Sequence, residues 1–184
     1  MLETNDRGAP GSTVVAAVLT EQDGMPFWLI ANVGDSRAYL WHGGELEQIS
    51  KDHSIVQELI DAGEIDQLEA RRHPERHVIT RAIGALEDSM AEYVMLPVVS
   101  GARLLLCSDG LSSEVPDEVI GGVLAATNDP DRAVLDLVET ALSHGGRDNV
   151  TVVLVDVIGD ETPDVDTLRG QSIVNGDTVR TRFA

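Results

Sequence analysis

Short apolar runs rich in β-branched and aromatic residues, each closed by Gly, Asp or Asn, occupy residues 13–19 and, in pieces, 26–41; they predict antiparallel strands. Gly43-Gly44, set between Tyr39-Leu40-Trp41 and Leu46-Glu47-Gln48-Ile49, predicts a hairpin whose turn needs positive φ. A short helix follows, with Ser54 as N-cap, Gln57 three residues on and Gly63 as its stop. Residues 64–91 are charged, rich in Arg and His and broken by Pro74, so an irregular excursion with short surface helices is expected there. Strands resume at 93–99 and 103–107 with Ser100-Gly101 as the turn. Pro116 with Asp117 and Glu118 opens one helix, and Asp129-Pro130 opens another. In the second, Ala133, Val134, Leu137, Val138, Ala141 and Leu142 keep to one face, and Gly145-Gly146 ends it. The β-branched run at 150–157 is short enough for a buried strand. After Ile158 the chain turns to Gly, Asp, Thr and Pro, and 159–184 reads as a tail or linker.

At 184 residues and 42% hydrophobic, the chain has enough apolar material for one core and one domain. It has no apolar run of membrane-spanning length, and its first ten residues lack the basic start and apolar stretch of an export signal, so a cytoplasmic protein with no membrane partner is expected. Cys107, the single cysteine, leaves no internal disulfide and fits a reducing compartment. Thirty-two acidic against thirteen basic residues, a formal charge of -19, argue against nucleic acid as a partner. Lys51 is the sole lysine, a bias typical of a GC-rich bacterial gene.

Three aspartates stand beside Gly or Asn at the ends of predicted strands: Asp35 in Gly34-Asp35-Ser36-Arg37, Asp109 in Ser108-Asp109-Gly110 and Asp148 in Arg147-Asp148-Asn149. Each alone reads as an ordinary turn former. Together, in this order, they are candidates for hard divalent cations, which take carboxylate oxygens held rigidly with water positions left open. Other chemistry is less well supported. No arginine follows Cys107 at the spacing of a thiol phosphatase loop, which leaves it as an apolar filler. His73 and His77 are four apart but straddle Pro74, and so read as surface histidines. Gly145-Gly146-Arg147 lacks the Gly-Lys-Ser/Thr of a phosphate loop and is a helix cap.

The chain resembles the protein phosphatase 2C family of metal-dependent serine/threonine phosphatases. The resemblance lies in Ala31-Asn32-Val33-Gly34-Asp35-Ser36-Arg37, Lys51-Asp52-His53-Ser54, His73-Pro74-Glu75-Arg76, Ile79-Thr80-Arg81-Ala82-Ile83-Gly84, Leu106-Cys107-Ser108-Asp109-Gly110-Leu111 and Gly146-Arg147-Asp148-Asn149-Val150-Thr151. It covers residues 10–158 and implies an α+β fold, a four-layer α-β-β-α sandwich of two antiparallel sheets, with 52–90 as a flap beside the site. It also implies two core metals, Mn²⁺ or Mg²⁺, with Asp109 and Asp148 on one of them and Asp35 with Asp109 on a third, weaker one. Metal-activated water would hydrolyse phosphoserine and phosphothreonine in proteins that are substrates of a serine/threonine kinase.

Two family features are not found in these 184 residues: the arginine that grips the substrate phosphate, and the Asp-Gly-x-Gly-Gly segment whose aspartate bridges the metals. Asp23-Gly24 is followed by Met25-Pro26 and does not replace the latter. Gly11-Ser12-Thr13-Val14-Val15 resembles the stretch that follows it, so the expectation is a domain incomplete at its N-terminus by about a third. Such a chain is expected to be weakly active or inactive alone and to expose sheet edges or apolar faces. The alternative reading is a non-catalytic module that binds a phosphoprotein or a kinase; a piece of a longer or split chain is a third.

Overall fold

The computed structural model describes residues 11–84, 90–159 and 179–181. Strand β1 (Val14–Gln22) turns into β2 (Met25–Val33) through Asp23-Gly24, both at positive φ (52° and 78°). β3 (Arg37–His42) and β4 (Glu45–Gln48) form the second hairpin, in which Gly43 and Gly44 take φ of 61° and 91° across the two-residue turn foreseen from the sequence. The chain then leaves the sheets for α1 (Ile55–Asp61) and α2 (Gln67–Ala70) and returns through β5 (Glu92–Pro97) and β6 (Arg103–Cys107). Helices α3 (Asp109–Ser112), α4 (Asp117–Ala126) and α5 (Pro130–Ser143) precede β7 (Val152–Asp156) and β8 (Val179–Thr181).

Two four-stranded sheets result, ordered β1-β2-β5-β8 and β4-β3-β6-β7. Every pairing is antiparallel except β5 with β8. Alternation decides which side chains meet between the sheets: Trp28, Ile30, Val94 and Leu96 from the first pack with Ala38 and Leu104 from the second. The second sheet is buried on its other face as well, where Tyr39, Leu105 and Cys107 meet Leu111, Ile120, Leu124 and Leu137. That double burial explains why β6 reads Leu104-Leu105-Leu106-Cys107 without a polar break. Arg103, at the start of β6, is buried because Asp156 and the carbonyls of Leu124 and Thr127 take its guanidinium, which ties β7 to the end of α4.

The α+β class and the two packed sheets agree with expectation. Of the two flanking helical layers, the described residues supply the one built by α4 and α5, and none covers the outer face of the β1-β2-β5 sheet. Of the expected tail, 160–178 and 182–184 lie outside the described residues, while 179–181 pair with β5 as a strand. Residues 85–89 of the expected flap also lie outside them.

Candidate metal centre

Asp35 stands on the short link from β2 to β3, and the link is fastened from all sides. Gly34 sits at φ 105°, where a Cβ would fall 2.3 Å from the Thr13 side chain, so only glycine lets β1 approach here. The Gly34 N–H donates to His53 Nδ1 at 3.1 Å, and its carbonyl accepts from His53 N (2.9 Å) and Asn32 Nδ2 (3.0 Å). Thr13 Oγ1 and Ser36 Oγ are 2.9 Å apart. Below the link, Arg37 forks onto Asp52 through Nε (3.0 Å) and Nη2 (2.7 Å), while its Nη1 donates to the Tyr39 hydroxyl, which donates in turn to Asp117. Gln48 Nε2 adds a further bond to Asp52, which leaves this ion pair neutral and satisfied.

Asp109 is the first residue of α3, one residue past the end of β6, so the ladder fixes its backbone. Asp148 lies in the loop from α5 to β7, exposed, with its Oδ1 accepting from the Asn149 N–H at 2.7 Å. That loop is drawn to the Asp109 segment by Arg147, whose Nε and Nη2 reach the Glu114 carboxylate at 2.9 Å.

A cavity of about 350 Å³ is lined by both Asp35 and Asp109. Glu114, Asp117 and the Arg37–Asp52 pair share it, and α1, α2 and the following turn contribute Val56, Ile60, Arg71, Arg76 and His77 to its lining. Asp148 is not among its lining residues. Burial, and then the charge of Asp109, push the Asp35 carboxyl up to about 6 from an ordinary 3.8. Burial and then Asp148 raise that of Asp109. Asp109 therefore has one of the other two as an electrostatic neighbour on each side. Among the described residues no three His, Cys, Asp or Glu side chains close around a single ion position, so the trio forms two neighbouring pairs and not one compact cluster. Among the described residues no basic side chain lies within ion-pairing distance of any of the three, whereas Asp52, Glu114 and Asp156 each have their arginine. Hard oxygen donors left uncompensated beside one another fit a divalent cation.

Several residues at this site escaped the sequence: His53, Tyr39, Glu114 and Asp117, whose roles arise from partners 19 to 78 positions away, and Gln48, which bonds Asp52 four positions on. His77, read as a surface histidine, is exposed but lines the cavity. Cys107 is the buried filler foreseen, its thiol pushed up to about 12, chiefly by burial.

The protein phosphatase 2C profile matches residues 2–59. A Listeria welshimeri serine/threonine phosphatase, stp, is 36% identical over 151 residues, 82% of this chain and 58% of that protein. The Mycobacterium tuberculosis serine/threonine protein phosphatase PstP is 47% identical over 131 residues, 70% of this chain and 25% of that protein. The structure of the PstP catalytic domain in complex with two manganese ions superposes with a TM-score of 0.70 at 39% identity, covering 81% of this chain and 60% of that one. The chain thus spans less than two thirds of each of these relatives. Sequence identity at this level over most of the chain, joined to the same two-sheet architecture, places it: the chain belongs to the protein phosphatase 2C family.

Proposed function

We propose that this chain forms part of a metal-dependent phosphatase that hydrolyses phosphoserine and phosphothreonine in proteins phosphorylated by a serine/threonine kinase. The observation that carries this reading is the uncompensated pair Asp35 and Asp109 in the lining of one cavity, with Asp148 beside Asp109. Asp109 and Asp148 would hold one cation and Asp35 with Asp109 another, Mn²⁺ or Mg²⁺. When bound, such cations supply an activated water and neutralise charge on the phosphoryl oxygens. The chain's own contribution is rigidity: Asp35 is fixed through Gly34, His53 and Asn32, and Asp109 by the β6–α3 junction. Arg71 and Arg76, which line the same cavity and have no carboxylate partner within ion-pairing distance among the described residues, offer positive charge to an anionic phosphoprotein. Residues 52–90 act as the flap and 10–158 as the phosphatase domain.

Two-carboxylate pairs hold a divalent ion less tightly than the fuller oxygen shells such ions prefer. The 184-residue chain alone is therefore expected to bind Mn²⁺ weakly and to hydrolyse a phosphopeptide slowly or not at all. Calorimetric Mn²⁺ titration of the chain and of Asp109→Ala tests the assignment. A loss of tenfold or more in affinity is expected for the variant, and unchanged affinity removes the metal reading.

A further inference from the structure

Asp109 and Asp148 carry like charge 39 positions apart, yet each has both chain neighbours engaged with the segment that bears the other. Before Asp109, the Ser108 hydroxyl donates to the Asn149 carbonyl at 3.2 Å and accepts from the Thr151 N–H at 3.0 Å. The Ser108 N–H donates to the Thr151 carbonyl, also at 3.0 Å. After Asp109, Gly110 lies so close to the same loop that a Cβ would fall 2.2 Å from the Asn149 oxygen. On the Asp148 side, Arg147 forks onto Glu114, five residues past Asp109, and Asn149 is the residue that Ser108 and Gly110 both meet.

Resting on the metal reading above, we propose that Ser108 is a positioning residue: its hydroxyl sets the spacing of Asp109 and Asp148, so that the pair is arranged for a cation before one arrives. One hydroxyl uses its donor and an acceptor position on two residues of a single loop, on either side of Val150, which fixes the loop in both directions along the chain. The Arg147–Glu114 fork holds the other end of the same loop at the surface. The competing explanation is that Ser108 merely extends the β6–β7 ladder. In that case its loss lowers stability and leaves metal affinity alone, whereas loss of a group that orients metal-binding carboxylates costs affinity by about tenfold to a hundredfold.

The test is Mn²⁺ calorimetry at pH 7.5 on the 184-residue chain and on Ser108→Ala, Ser108→Thr and Arg147→Gln, with the Tm of each metal-free protein recorded beside it. The expected result for Ser108→Ala is at least a tenfold loss of affinity with a metal-free Tm close to the parent's, and Ser108→Thr, which keeps the hydroxyl, restores binding. Arg147 is 70% exposed in its side chain, so Arg147→Gln keeps the fold and is expected to weaken Mn²⁺ binding in the same direction; it decides the matter where Ser108→Ala fails to fold. Parental affinity in Ser108→Ala, or a loss that Ser108→Thr does not restore, overturns the role of Ser108 while the metal reading stands. A parent chain that takes up no Mn²⁺ at millimolar concentration overturns the metal reading and this inference with it.

Discussion

Asp35 sits where folding works against its charge. Its carboxyl is raised to about 6, first by burial and then by Asp109, with no ion-paired arginine of its own among the described residues. A raised carboxyl favours the folded state fully below its ordinary value near 3.8, and that contribution is lost as pH climbs to about 6, so the metal-free protein carries the penalty at neutral pH. Asp35→Asn is therefore expected to stabilise the metal-free chain at pH 7.5. Allowing for solvent screening of a group that is only partly buried, the gain is about 1 kcal/mol, or roughly 2–4 °C in Tm. The difference should vanish near pH 4 and reverse when saturating Mn²⁺ stabilises the parent more than the variant, which keeps only the Asp109 and Asp148 position. Calorimetric melts over that pH range check it, and a variant less stable than the parent at every pH contradicts the account. Asp35, Asp109 and Asp148 were legible as candidates because Asp beside Gly or Asn at a strand end is a local signal that recurs three times along the chain. His53 and Glu114 were not, since nothing in their own neighbourhoods announces a partner 19 or 33 positions away.

Elements were legible wherever local chemistry alone specifies them. The Gly43-Gly44 hairpin, the Ser54 cap, the Asp129 cap with Pro130 behind it and the buried run of β6 form as the sequence predicts, whereas β7 forms where expected but, at the sheet edge, is not the buried strand foreseen and leaves Val153 48% exposed. The four-residue α3 was read as part of a strand end, because a single helical turn is too short for periodicity to register. Strand β8 arises in a polar stretch, where pairing with β5 and not composition makes the strand. Helix α1 illustrates how far a cap can matter: it buries none of its own residues, so its order rests on the Ser54 Oγ to Gln57 N–H bond and on the Ile55 and Thr80 backbone ties. Ser54→Ala should cost that helix about 1 kcal/mol. The expected signature is local: about fivefold faster amide exchange over residues 55–61 with the β6 and β7 amides unchanged. Uniform acceleration across the sheets would mean that α1 unfolds only with the whole molecule.

The whole molecule is asymmetric in its cover. The β4-β3-β6-β7 sheet lies between a sheet and helices, whereas the β1-β2-β5 sheet has its inner face packed and an outer face that no helix among the described residues protects. Strand alternation puts Val15 and Ala17 inward, so Val14, Ala16 and Val18 face out, and the register lines Val18 with Leu29 and Met95, and Ala16 with Ala31 and Tyr93. Val18 is 55% and Tyr93 41% exposed, a contiguous apolar stripe of a kind that soluble domains seldom leave open. The formal charge of -19 opposes contact between copies at low ionic strength, and salt screens that repulsion without weakening apolar attraction. Two outcomes are expected: enhanced fluorescence of an apolar dye such as ANS, and salt-promoted association in sedimentation velocity between low ionic strength and about 1 M, where the screening length falls to about 3 Å. Replacing the outward pair by Val18→Ser with Tyr93→Ser should reduce both. Leu135→Ser, which removes a residue 54% exposed on α5, should leave them nearly unchanged. If the α5 variant abolishes the dye signal and the sheet pair does not, the apolar surface that governs association lies on the helical side.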